Sequence, residues 1–337
     1  MSISALKQDI KNKKLNNLYL FYGDEDYLIK YYIKSMEDII LADDQTGLNK
    51  IVIEENVDIQ KIIEACETMP IFCEKKLVLV KNSGMFKSRG GAKSKQNKKD
   101  ELLDYVQNVP SHVCVIFWEK EIDKRLKIVD VIKKQGLIVE FPYQNQNELV
   151  RWVMKVVQSN NKEIDTQTAS FLIEVCEPGM NDILNELNKV LLFLGERTKV
   201  TVEDIEKLCT KSIKSRVFDL IDAISERNVD TALKLLNDMI ILKEPFPKIL
   251  FLIAKQLRQI LGMKLLNEEG LDMKDASAKM GLTPYIGSKI FKQANYFSTD
   301  KLKAAIQEAL EFDISIKTGK INDRTALELL ICNLAAQ

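Results

Sequence analysis

Five short apolar runs crowd into the first 142 residues, and none like them follows. They are Leu18–Tyr22 (LYLFY), Lys50–Ile53 (KIVI), Leu77–Val80 (LVLV), Val113–Trp118 (VCVIFW) and Leu137–Phe141 (LIVEF). LYLFY, LVLV and VCVIFW do not alternate apolar with polar, so they read as strands buried on both faces. Between the runs lie segments at helical spacing, such as Leu28, Ile29, Ile33, Met36 and Ile40. Further helices are expected over Asp58–Thr68, Glu101–Gln107 and Arg125–Gln135. Strands that alternate with helices predict an α/β domain with a parallel five-stranded sheet covered on both sides.

After Pro142 the strand signal stops. Gln146–Ser159, Asp165–Val175, Met180–Leu194 and Thr201–Lys207 read as helices, and Thr201 with Asp204 three residues on suits an N-terminal cap. Lys211–Ser215 is polar and reads as a linker. Beyond Arg216 the pattern is helical throughout, with Val217–Ser225, Thr231–Ile241, Phe246–Leu266 and Asp300–Ile316 as examples. Thr283-Pro284 and Ser298-Thr299-Asp300 are good helix starts. The expected organisation is therefore 1–142 as an α/β domain, 143–211 as a small helical domain and 212–337 as an all-helical bundle. The chain is mostly α overall.

The 49 Lys and Arg residues equal the 49 Asp and Glu residues. A balanced chain has no wholesale attraction to nucleic acid, so any DNA contact must come from a local patch. The first residues lack the apolar core of a signal peptide, and no apolar run is long enough to cross a bilayer. A soluble, cytoplasmic protein without membrane partners is the expectation. Cys66, Cys73, Cys114, Cys176, Cys209 and Cys332 form no CxxC pair, and His112 is the only histidine. No metal site is expected from this scatter. A lone histidine just before a strand also argues against Ser-His-Asp or Cys-His catalysis.

The turn after the first strand is where a nucleotide-binding α/β protein keeps its phosphate loop, G-x-x-x-x-G-K-[ST]. Here the residues are Gly23-Asp24-Glu25-Asp26-Tyr27-Leu28-Ile29-Lys30. The second glycine and the Gly-Lys-Ser/Thr ending are missing. Three carboxylates stand at the helix N-terminus, where they satisfy the dipole and repel a phosphate. The fourth run ends in a single Glu119 rather than an Asp-Glu pair. No nucleotide cofactor and no intrinsic catalysis are expected.

Two further segments leave alternatives open. Pro70 ends the helix before it, because the residue ahead of a proline avoids helical geometry. Ile71 and Phe72 then fall in a short connection before Glu74-Lys75-Lys76. Such a pair is either an exposed binding anchor or part of the sheet core. The stretch from Ser83 to Asp100 carries Lys87, Arg89, Lys93, Lys95, Lys98 and Lys99 among glycines and serines. It is either a solvated insertion or a phosphate-neutralising loop, while Met85 and Phe86 are suited to tack its start to the domain.

Four stretches, in order and at matching spacing, resemble the delta subunit of the bacterial DNA polymerase III clamp loader. They are Leu18–Glu25 with Leu28-Ile29, Glu67–Phe72 with Lys75–Lys81, Asn185–Val190, and Val217–Ile224. The resemblance spans nearly the whole chain. It implies an AAA+-like domain without a functional ATP site, a helical lid and a helical collar. The implied assembly is a hetero-pentamer with motor and delta-prime-type subunits, acting on a sliding clamp and on primer-template DNA. The family grips the clamp with an apolar pair before a strand, which implies Ile71 and Phe72, with Met69 ahead of them. The binding and opening of the clamp belong to this implied role, and polymerisation to the larger holoenzyme. Two other readings remain: a degenerate AAA+ NTPase of another replication or repair assembly, and a free-standing DNA-binding protein.

Overall fold

The computed structural model describes residues 3–44, 46–54, 57–88 and 101–336. The chain divides into two compact units, one formed by Met1–Gln144 with Gly179–Asn181, the other by Asn145–Pro178 with Asp182–Gln337.

In the first unit the strands are β1 (Leu18–Tyr22), β2 (Lys50–Ile53), β3 (Lys76–Lys81), β4 (Val113–Glu119) and β5 (Leu137–Glu140). They form one sheet in the order β2-β3-β4-β1-β5, and all pairings are parallel. Its helices are α1 (Ile3–Lys11), α2 (Asp26–Ile40), α3 (Ile59–Glu67), α4 (residues 101–105) and α5 (Lys127–Gln135). The period of two along a strand sends alternate side chains to opposite faces. Tyr19 and Phe21 join Leu6 of α1 and Ile29, Ile33 and Met36 of α2. Leu18, Leu20 and Tyr22 join Ile62 of α3, Leu102 of α4 and Ile132 of α5 on the other face. A parallel five-stranded sheet with helices on both faces, followed by helices alone, is the architecture expected from the sequence. The apolar composition of LYLFY follows from this placement, since all five of its residues are buried. At the sheet edge, β2 instead alternates exposed with partly buried residues.

The second unit is helical. It holds α6 (Gln146–Ser159), α7 (Thr166–Val175), α8 (Met180–Leu194) apart from its first two residues, α9 (Val202–Leu208), α10 (Ile213–Ser225) and α11 (Val229–Ile241). The long α12 (Phe246–Glu268) follows, then α13 (Met273–Lys279), α14 (Pro284–Ala294), α15 (Thr299–Lys317) and α16 (Asp323–Ala335). Thr201 and Asp204 form a reciprocal capping box on α9. The apolar core from α10 onward is crossed by a chain of polar side chains. Gln256 donates to Gln293 at 2.8 Å, and Gln293 donates to Asp222 at 2.7 Å.

Two sequence expectations change. The linker expected over Lys211–Ser215 is shorter, because Ser212 caps α10 by accepting the Ser215 N–H at 3.2 Å. The helix therefore starts at Ile213, inside a stretch whose polarity comes from capping. The helix α1 is an addition to the expected elements. It is short, with Leu6 buried and Ile3 and Ile10 packed beside it at helical spacing.

Candidate functional site

The connection from α3 to β3, residues 68–75, is held at its base and bare at its tip. The helix α3 stops at Glu67, where Thr68 turns extended (φ −61°, ψ 129°), two residues ahead of Pro70. The Thr68 carbonyl at this helix end accepts the ammonium of Lys76. Lys76 is only 2% exposed, and burial lowers its pKa. A cation at a helix C-terminus interacts favourably with the helix dipole, which offsets part of that desolvation. At the other end of the loop, Lys75 Nζ donates to Asn17 Oδ1 at 3.2 Å.

The middle of the loop is held by Asn49. Its Oδ1 accepts the Ile71 N–H at 2.7 Å, and its Nδ2 donates to the Ile71 carbonyl at 2.8 Å. One side chain thus satisfies both main-chain groups of one residue, as a neighbouring strand does in a sheet. Asn49 is 1% exposed, its own carbonyl accepts the Leu77 N–H at 2.8 Å, and its N–H donates to Asp44 Oδ2 at 3.1 Å. The other oxygen of Asp44 accepts from Thr46 N–H and Oγ1 and from Gly47 N–H, at 2.7–3.0 Å. These bonds, led by the Thr46 hydroxyl, pull the Asp44 pKa down to about 2. A depressed carboxylate pKa stabilises above the unfolded value near 3.8, and the effect is lost as pH falls through about 2. The turn is therefore fully fastened at neutral pH.

The tip carries three apolar side chains. Met69 is 68% exposed, Ile71 41% and Phe72 91%. Phe72 has φ +55°, a left-handed geometry that costs a residue with a Cβ about 1–3 kcal/mol and persists only where surroundings enforce it. Of the two placements open to the pair, the chain adopts the exposed one. Neither Asn49 nor Lys76 stands out in the sequence as part of this loop. The turn at Asp44–Asn49 is legible from its Asp, Thr and Gly, but no local signal joins Asn49 to Ile71.

The turn after β1 is built differently from a phosphate cradle. Gly23 has φ +134°, and a Cβ there would stand 2.2 Å from the Phe141 carbonyl oxygen. The Glu25 N–H donates to the same carbonyl at 3.0 Å. The Glu25 carboxylate is 1% exposed, and both its oxygens lie 3.2 Å from the Met180 N–H. A protein carboxylate thus takes up a donor beside this helix start. Glu119, at the end of β4, is also occupied. It accepts from the Ser83 N–H at 2.8 Å, from the Ser83 hydroxyl and from the Gly84 N–H at 3.4 Å. Burial raises its pKa, and these donors oppose the shift.

Within the basic stretch, Met85 and Phe86 are buried, and Phe86 meets Phe117 edge-on with ring centres 5.2 Å apart. Lys87 pairs with Glu121 at 2.9 Å. Arg89, Lys93, Lys95, Lys98 and Lys99 lie outside the described residues. His112 sits where β4 begins, with Nε2 3.1 Å from the Cys66 carbonyl oxygen. Among the described residues no helix is long and apolar enough to cross a membrane.

Comparison with known proteins bears on the whole chain. The model described as "DNA polymerase III, delta subunit" matches residues 19–142, and that of the "DNA polymerase III delta subunit, C-terminal domain" matches 214–334. The DNA polymerase III subunit delta of Bacillus subtilis is 26% identical over 97% of this chain and 95% of its own length. A probable DNA polymerase III subunit delta of Aquifex aeolicus is 20% identical over 79% of this chain and 75% of its own length. The solved structure of the Bacillus subtilis DNA clamp loader delta protein superposes with a TM-score of 0.51 at 25% identity, covering 99% of both chains. Two models of one family thus cover both ends of the chain, and a relative aligns nearly end to end: this chain belongs to the DNA polymerase III delta-subunit family of clamp-loader components.

Proposed function

We propose that this subunit binds the sliding clamp through Met69, Ile71 and Phe72 and helps hold the ring open for loading onto primed DNA. The observation that carries the reading is Phe72, 91% exposed on a loop whose backbone is held at Thr68 and Ile71, in a chain of the clamp-loader delta family. An exposed aromatic on a pre-ordered backbone is how a hot spot is presented. Surface plasmon resonance of the purified chain over immobilised sliding clamp tests it. Saturable binding is expected, and no binding at micromolar concentration overturns the reading.

In this proposal residues 1–142 form the clamp-binding AAA+-like domain, 143–211 the lid and 212–337 the collar. The collar joins motor and delta-prime-type subunits in a hetero-pentamer that encloses primer-template DNA. Catalysis belongs to the other subunits. Calorimetry with Mg-ATP should show no heat of binding to this chain. The motive is the Phe141 backbone against Gly23 and the Glu25 carboxylate facing Met180. Micromolar affinity for Mg-ATP would instead favour the degenerate NTPase.

The basic stretch supplies a contact with DNA in the same proposal. Replacing Lys87, Arg89, Lys93, Lys95, Lys98 and Lys99 by glutamine in the assembled loader should flatten the salt dependence of DNA binding. The slope of log K against log salt should fall by about 0.9 for each duplex phosphate that is no longer neutralised. An unchanged slope removes the stretch from the DNA-binding surface.

A further inference from the structure

We infer that Asn49 is a positioning residue for the partner contact: its buried amide sets the backbone from which Ile71 and Phe72 reach the clamp. The inference rests on the clamp-binding reading of the loop and adds to it a residue that touches no partner.

The argument starts from what holds the tip. Residues 69–75 belong to neither helix nor strand, so no ladder of regular hydrogen bonds fixes them. The Asn49 amide replaces such a ladder at one residue, with bonds of 2.7 and 2.8 Å to Ile71. Asn49 is in turn tied to β3 through Leu77 and to the Asp44 turn through its N–H. The next residue, Phe72, is held in the left-handed region with its ring in solvent. A phenylalanine neither favours that backbone nor gains from exposing its ring when alone. Both penalties are already met in the fold before any partner arrives. The ordering that binding otherwise imposes on a free loop is then complete, which is the physical content of pre-organisation. Without the amide, Ile71 regains freedom, Phe72 leaves the left-handed region, and the partner must impose the same order at binding.

The experiment is a double-mutant cycle on the full chain, read as affinity for the purified clamp. Asn49→Ala should weaken binding about tenfold where Phe72 is present, and less than about twofold in a Phe72→Ala background, because coupled residues are not additive. A general loss of structure weakens both backgrounds alike, so the cycle separates positioning from stability. Asn49→Asp keeps the volume but replaces the donor facing the Ile71 carbonyl by oxygen, and should behave like Asn49→Ala. Hydrogen exchange at the Ile71 amide should quicken in both variants while the amides of β3 and β4 stay protected.

Equal weakening in both backgrounds, or none in either, overturns the inference and leaves the clamp-binding reading intact, provided Phe72→Ala itself weakens binding. Failure of both Asn49 variants to fold also overturns it, making Asn49 a residue of the fold alone. Unchanged affinity in Phe72→Ala removes the reading of the loop, and the inference with it.

Discussion

Replacing Ile71 and Phe72 together by alanine is expected to weaken clamp binding by about 10²–10³-fold, since hot-spot truncations cost roughly 2 kcal/mol each. The same change should leave the melting temperature nearly unchanged. Buried Phe→Ala substitutions cost about 3–5 kcal/mol of stability, whereas exposed ones usually stay within about 0.5 kcal/mol. Phe72 is 91% exposed and Ile71 41%, so the structure puts both on the surface side of that division. Truncating Phe72 also relaxes little strain, because alanine meets a similar backbone penalty at φ +55°. Affinity and melting must be read on one sample. Lost affinity with an intact melt supports the anchor. An intact affinity shows that the clamp meets another part of the α/β unit, and a fall of about ten degrees or more shows that the loop belongs to the core.

Gly23→Ala should destabilise the first unit by about 3 kcal/mol or more. Two separate costs add: backbone strain of about 1–3 kcal/mol at a glycine-only geometry and overpacking of about 1–3 kcal/mol. The clash is with main chain. The Cβ would meet the Phe141 oxygen at 2.2 Å, its carbonyl carbon at 2.6 Å and its nitrogen at 2.9 Å. Phe141 cannot yield easily, because its N–H donates to the Tyr22 carbonyl at 2.7 Å and its own carbonyl accepts the Glu25 N–H at 3.0 Å. A urea titration followed by Trp118 fluorescence in a Trp152→Phe background reports on this unit alone. A glycine retained only to admit a phosphate would tolerate alanine, so a loss below about 1 kcal/mol would refute the structural role given to Gly23.

The sheet was legible because its inner strands β1, β3 and β4 are buried on both faces, which leaves unbroken apolar runs such as LYLFY in the sequence. Helix ends were legible where the cap is local, as at Thr201 and Asp204. The fastening of the loop was not. Lys76 reads as one of a charged pair after Glu74, yet it opens β3 and is buried because a helix end eight residues earlier offers it a carbonyl. Asn49 reads as a turn residue, and its partner lies 22 residues on. Periodicity reports which way a side chain faces and is silent about which backbone it meets. The exposed state of Phe72 was open for the same reason: an apolar residue after a helix-ending proline suits a core and a surface equally.

The strand order has a consequence for how the chain acquires its structure. β1 is made early, yet it pairs only with β4 and β5, as in Leu18 with Val115 and Tyr19 with Leu137. At about 5–20 residues per second, a ribosome needs several seconds or more to deliver those partners after LYLFY has emerged. During that wait this apolar strand has neither neighbour, and both of its edges are open to wrong pairing. Contacts this distant in sequence also make closure of the sheet slow relative to the local helices. Closure of the sheet is therefore the slow, aggregation-exposed step in the folding of the α/β unit.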